Sequence, residues 1–346
     1  MKIKLSFHWR TPIFSLRQSG FTLIELMIAM TLGLLLLASL VYVYTNSAQS
    51  FRAQSALTLI QNNARYAFEI MGVDIRQTGF TGTSSVPTNV VGTPNPTTLS
   101  TLIDLANPLV GYEDTYPPNR NPSGCTSACY RANTDSLTVV RVDTENKYTV
   151  TAHDTAASTF TLASWPTSRP PAPGEVFVAA DYTHAAVFQA GTATASPNVS
   201  YGVGGSPGNS STNLGTFHGS TPAAGTYVLA LYRLSGASYY IGTNPAGEPA
   251  LYRDKLDHNT ITLTSTAEEL IEGVENMQIT YGVDTDADSN VDVYQDAGSV
   301  ATWGNVLSVR ITLTLVSQQD VKVGTTGDQL LRKTFTNTIA IRNRLL

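Results

Sequence analysis

The 346-residue chain has only two cysteines, Cys125 and Cys129, which excludes a framework of several disulfides. Their spacing does not fit the redox C-x-x-C motif, and no second Cys/His pair completes a zinc site. In "GCTSACY" the two thiols either close one short loop, as an oxidising compartment would allow, or stay free. Such a bridge would stabilise little, because the gain grows with the length of the loop it closes. Charge is scarce as well, at 14% of residues against about a quarter in an average domain. The net charge of -5 speaks against nucleic acid as the main partner, since neutralising phosphates needs a basic face. H-E-x-x-H, phosphate-loop and dinucleotide motifs are all lacking, so nothing points to an enzyme. "GGSPG", Gly204 to Gly208, fits G-x-S-x-G by chance, because no strand precedes it and no helix follows. The histidines are scattered, and His153, His184, His218 and His258 read as surface or loop residues.

What fills the gap is Thr, Ser, Asn, Gly and Pro, a composition that suits a β-rich, loop-rich extracytoplasmic protein. The N-terminus has a different character. Residues 1–20 carry Lys2, Lys4, Arg10 and Arg17 and no acid, and from Phe21 to Tyr44 the chain is almost continuously apolar. As a helix that run is long enough to cross the ~30 Å hydrocarbon layer. The basic flank then stays in the cytoplasm and everything after Tyr44 faces outward. A secretory signal peptide fits poorly, because the run is too long and no A-x-A-like cleavage site follows it. A plain anchor leaves Glu25 unexplained. A carboxylate in a membrane segment costs about 2.5–3.5 kcal/mol at the centre and less near the end, so it should have a purpose and a partner.

"SGFTLIELMIAM" closely resembles the leader junction of type IV pilins and type II secretion pseudopilins. The resemblance implies that a prepilin peptidase cuts residues 1–20 away after Gly20 and that the new terminal residue, Phe21, is N-methylated. It implies that Glu25 is the docking carboxylate, paired with the terminal amine of a neighbouring subunit. Ammonium and carboxylate are each costly in an apolar bundle and offset one another when paired.

Beyond Tyr44 the helical rhythm persists while the composition turns polar. Ala53, Leu57, Ile60, Ala64, Phe68, Met71 and Ile75 write one apolar stripe, and Gln54, Thr58, Asn62, Arg65, Glu69 and Arg76 lie opposite. No proline interrupts the run, so one helix of about 80 Å is expected over 21–76, apolar at 21–44 and amphipathic at 45–76. The stripe is expected to pack on the chain's own β-domain. Gly79 and Gly82 end the helix.

Residues 77–346 read as a β-rich globular domain. Phe80 to Tyr130 and roughly Ala190 to Thr226 look like long loops, the latter a flexible excursion. Strands are expected at "SLTVVRV", "KYTVTA", "EVFVAADY", "TYVLALYRL", "ASYYIG", "NTITLT", "VENMQITYGV", "NVLSVRITLTLV" and "KTFTNTIAIRN". "TAEELIEGVEN" reads as a short helix leading into a strand. The tyrosines of "LYRLSGASYYIG" read as sheet-face packing. The expected class is α+β: a long N-terminal helix packed on a mainly antiparallel sheet, as in pilins.

The C-terminal "ELIEGVENMQITYGVDTDADSNVDVY", "NVLSVRITLTL" and "FTNTIAIRNRL" resemble the PilW family of minor pilins, over roughly the last eighty residues. The resemblance implies a low-abundance complex that primes assembly and caps the pilus tip. The implied partners are other minor pilins, the major pilin and the inner-membrane assembly platform. The implied location is the inner membrane with a periplasmic C-terminal domain, then the pilus tip at the cell surface. A minor pseudopilin of type II secretion, or an adhesive or DNA-capturing tip subunit, are the other readings. Asp284, Asp286, Asp288, Asn290 and Asp292 alternate as the first ligands of a calcium loop would. Ser289 replaces the loop glycine and Gln295 the closing glutamate, so an acidic turn fits the same residues. Otherwise no cofactor is expected.

Overall fold

A computed structural model describes residues 20–81, 87–92, 97–118, 128–204, 207–218, 229–257, 264–318 and 330–344. The chain divides into two compact units, Met1–Gln54 and Ser55–Leu346. One helix, α1 (Leu23–Arg76), supplies all the described helical structure of the first unit and continues into the second. In the first unit its apolar run is exposed apart from a half-buried Gly33, and it is long and apolar enough to cross a membrane.

In the second unit the stripe does what its spacing predicts. Ile60, Ala64, Met71 and Ile75 are buried, joined by Ala67, while the opposite-face residues Thr58, Asn62, Arg65 and Glu69 are exposed. The helix ends in a turn at Gln77–Gly79, where Gly79 adopts φ +72° and donates its N–H to Val140 O at 2.9 Å. Asp74 is buried on the same face. Its carboxylate accepts from Arg141 Nε at 2.8 Å and from the Tyr239 hydroxyl at 2.6 Å, which locks the last helical turn to the sheet.

The strands are β1 (Thr88–Asn89), β2 (Leu109–Tyr112), β3 (Cys129–Tyr130), β4 (Ser136–Asp154), β5 (Thr159–Leu162) and β6 (Val176–Ala180). Then follow β7 (Ala185–Gln189), β8 (Asn198–Ser200), β9 (Ala230–Thr243), β10 (Pro249–Asp257) and β11 (Thr264–Glu272). The last are β12 (Val274–Val283), β13 (Val293–Asp296), β14 (Val306–Val316) and β15 (Arg332–Ala340). The larger sheet runs β1-β7-β6-β9-β4-β5-β8, with β2 also on β4, β3 and β10 also on β9, and β11 on β10. The smaller sheet runs β13-β12-β14-β15. All pairings are antiparallel except β1 with β7. One core joins α1 to both sheets through residues such as Met71, Leu137, Tyr239, Met277, Ile311 and Ile339. Three further clusters, around Phe160, Phe177 and Phe188, around Val140, Val178 and Leu234, and around Tyr240, Ala250 and Tyr252, pack on the larger sheet.

The expected alternation in β14 is present: Val309, Ile311, Leu313 and Leu315 are buried and Arg310, Thr312 and Thr314 are half-exposed. The β9 tyrosines Tyr239 and Tyr240 are fully buried, as sheet-face packing requires. "NTITLT" lies largely outside the described residues.

Other expectations are corrected. "SLTVVRV" and "KYTVTA" form one strand, β4, whose register against β9 shifts between Val142 and Lys147. The polar residues between them make a bulge rather than a turn. "LYRL" and "ASYYIG" likewise merge in β9, where Gly236 permits a close crossing. A methyl group there would sit 2.0 Å from Leu102 O. "TAEELIEG" is not a helix but β11, paired with β10. Glu268 bonds Arg253 and Lys255 across the strands, and Gly273, at φ +82°, breaks the chain before β12. Helix propensity yields there to cross-strand pairing. The stretch after Phe80 is not all surface loop, since Leu99, Leu102, Ile103, Leu105 and Leu109 are buried. The described part of 190–226 is packed too, with Tyr201, Leu214 and Phe217 buried around an internal Asn209. His153 is a half-buried residue of β4 rather than a surface or loop residue, whereas His184 lies in the loop between β6 and β7, as expected, and is half-buried. His153 stacks on Phe160 at 4.3 Å and shares a hydrogen bond with Tyr201 at 2.7 Å, and burial lowers its pKa. His184 bonds Leu214 O at 2.7 Å. His218 is exposed as expected, and His258 lies outside the described residues.

Candidate functional site

The N-terminal junction is built by the first turn of α1. Gly20 is exposed, and a methyl group added to it would meet nothing within 4 Å. Phe21 follows at 88% exposure. Thr22 then caps the helix. Its backbone N–H and its hydroxyl both donate to Glu25 Oε2 at 2.9 Å, and Glu25 N–H donates back to Thr22 Oγ1 at 3.3 Å. This is a reciprocal capping box, T-x-x-E, which the spacing Thr22–Glu25 announces and which the reading of Glu25 as a docking carboxylate left out. The box uses one carboxylate oxygen. Oε1 makes no hydrogen bond among the described residues, so Glu25 keeps an acceptor for a further donor.

The acidic turn after β12 is the other candidate. Carboxylate oxygens of Asp284, Asp286 and Asp292 lie within 4.8 Å of one another, the spacing a cation needs. Asp288 donates its N–H to Asp286 Oδ1 at 3.3 Å, and the Asn290 side-chain amide donates to Asp288 Oδ2 at 3.0 Å. Asp284 is buried and already accepts from the N–H groups of Asp286, Ala287 and Ser289 at 3.2, 2.7 and 2.9 Å. Asp292 accepts from Thr285 N–H and hydroxyl at 2.7 Å, which lowers its pKa, whereas Asp288 and Asp292 raise that of Asp286. The turn is therefore held by its own amides. Asp284, Asp286 and Asp292 are the residues that would hold a calcium ion. Cys129 opens β3 and is not a free thiol, while Cys125 lies outside the described residues.

A family model described as type IV pilus-assembly protein W matches residues 238–343, and a model of the prokaryotic N-terminal methylation motif matches residues 15–41. The chain is thus similar to PilW-type pilus-assembly proteins over its C-terminal strands and to N-methylated prepilin-like proteins at its N-terminus. No curated protein and no solved structure matches it. The PilW-type segment begins earlier than the sequence resemblance suggested. It takes in the end of β9, β10, β11 and the whole smaller sheet. The methylation motif encloses Gly20, Phe21, Thr22 and Glu25. The two matched stretches are thus the capped apolar helix and the C-terminal strands, and the region around Phe160 and Phe188 lies in neither.

Proposed function

We propose that this type IV pilus-related pilin is a minor pilin that acts in pilus assembly as a subunit of a priming or tip complex. The peptidase removes the leader after Gly20 and Phe21 is N-methylated. Gly20 supports this reading because, among the described residues, nothing demands glycine there. The helix then anchors the chain in the inner membrane with its C-terminal domain in the periplasm. Assembly inserts it among other minor pilins and the major pilin.

The observation that carries the proposal is Glu25. It stands in an otherwise uncharged stretch from Phe21 to Phe51, is held by Thr22 through Oε2 and is open at Oε1. A neighbouring subunit's terminal ammonium fits that open oxygen, and each group relieves the other's cost in an apolar surrounding. The test is Glu25→Ala as the sole copy. Mass analysis of the mature N-terminus should show normal leader cleavage, and surface pili should fall by about tenfold, roughly 1.4 kcal/mol of assembly. Wild-type piliation would refute the docking role.

A further inference from the structure

We infer that the outer edge of β15 is an acceptor for a β-strand donated by another polypeptide. The inference does not rest on the pilus reading.

Register and hydrogen bonding determine which amides face outward. β14 and β15 pair without a register shift from Ser308↔Ala340 to Val316↔Arg332. Just beyond the two ends of that ladder, Ile341 N–H bonds Leu307 O and Ser317 N–H bonds Leu331 O, both at 2.9 Å. In an antiparallel pair hydrogen-bonded positions alternate, so the odd-numbered residues 333–339 spend their backbone groups on β14. The N–H and C=O groups of Thr334, Thr336 and Thr338 therefore point away from the sheet and bond no described residue.

Side chains follow the same parity. Ile339 is buried and Phe335 is half-buried against the core, as is Leu331 just ahead of the strand, whereas Thr334, Thr336 and Thr338 are exposed. A strand added here would align apolar residues with Phe335 along the rim of an existing core and polar residues with the threonines. Thr312–Thr336 and Thr314–Thr334 hydroxyl contacts at 3.0 and 3.1 Å already form such a polar ladder on the outer face.

The other edges are protected. β1, β8 and β13 are four residues or shorter, and β11 carries Glu268, Glu269 and Glu272. β15 has nine residues, and after Arg332 and Lys333 none is charged. Arg332 pairs with Glu275 at 2.7 Å, while Lys333 is exposed and makes no ion pair among the described residues. The occupant is accordingly an extended segment with alternate apolar residues and a carboxylate placed opposite Lys333, bound by main-chain pairing.

The full chain in detergent micelles, titrated with the synthetic peptide Ile-Thr-Val-Thr-Val-Thr-Asp, which run antiparallel sets its apolar residues opposite 335, 337 and 339 and its Asp opposite Lys333, tests this. Binding with a Kd below about 100 µM is expected, with at least tenfold slower amide exchange at Thr334, Thr336 and Thr338. The variant Thr336→Pro removes an outward N–H that the chain itself does not use, so it should keep its melting temperature within a few degrees and bind at least tenfold more weakly. Should that variant unfold, exchange in the wild-type chain decides. No binding, unchanged exchange at the three threonines, or equal binding by a folded Thr336→Pro chain would each overturn the inference.

Discussion

Between Leu23 and Tyr44, α1 leaves Leu26, Ile28, Leu35 and Leu40 more than half exposed, while between Ile60 and Ile75 it buries every residue of its apolar face except Phe68, which is half-buried. The first stretch is the more apolar, so apolar content does not decide which stretch is buried. Pattern does. A helix apolar all round has no polar face to turn to water and needs an apolar solvent or other helices on every side. A helix with one stripe needs only one partner, and the chain provides it in its own sheets. Membrane and subunits must do for 21–44 what the β-domain does for 55–76.

That contrast breaks most clearly at Asp74. Asp74→Ala should cost about 2–4 kcal/mol, since it strands Arg141 and the buried Tyr239 hydroxyl together. The urea midpoint of the purified chain in micelles measures it. Leu35→Ala, at a site 67% exposed, should leave that midpoint within about 0.5 kcal/mol. A Leu35→Ala loss as large as that of Asp74→Ala would show that the apolar stretch is packed within the chain after all.

The next effect is smaller and local. Without tertiary contacts the first turn of α1 depends on its cap, so Thr22→Val should destabilise it by about 1 kcal/mol. Amide exchange at Leu23, Ile24 and Glu25 should quicken while the global midpoint stays put, and Thr22→Ser should restore protection. Equal exchange in all three chains would mean the cap is idle.

Much of this was legible. A proline-free run with a stripe at steps of three and four specifies a helix over 21–76, and the structure has Leu23–Arg76. The strict alternation of β14 specifies a half-buried strand. What stayed hidden depends on partners far along the chain. Asp74 looks like an ordinary polar residue on the helix, because its meaning comes from Arg141 and Tyr239. β11 misleads because its glutamates favour a helix until Arg253 and Lys255 stand opposite. Thr22 was readable by the capping-box spacing, but the charge of Glu25 drew the interpretation instead. A turn between two strands was readable at 284–292, but which of its carboxylates converge was not, because the loop backbone alone brings Asp284, Asp286 and Asp292 together.

The last contrast concerns pH. From Phe21 to Phe51 the only charged side chain is Glu25, so acid or base has little to act on there. The β-domain instead gathers carboxylates at the end of β2. One step past the Tyr112↔Ser136 pair, Glu113 stands opposite Asp135, with Asp114 and Asp296 nearby. Asp135 accepts from Ile279 N–H at 2.7 Å and Asp114 N–H at 3.0 Å, and Glu113 from Ala297 N–H at 3.2 Å. Burial raises the pKa of both, and the neighbouring acids raise them further. A carboxyl whose folded pKa exceeds its unfolded value stabilises below the unfolded value, and that stability is lost as pH rises through the folded one. Stability should therefore fall from pH 4 towards pH 8. Glu113→Gln retains the acceptor for Ala297 and removes one of the repelling charges. Its melting temperature at pH 8 should rise by about 1–2 °C, roughly 0.5 kcal/mol for a half-exposed group, and its decline with pH should be shallower than wild type. A variant that melts lower at pH 8 with the wild-type slope would show that Glu113 is ionised and stabilising, and would remove this source of pH sensitivity from the β-domain.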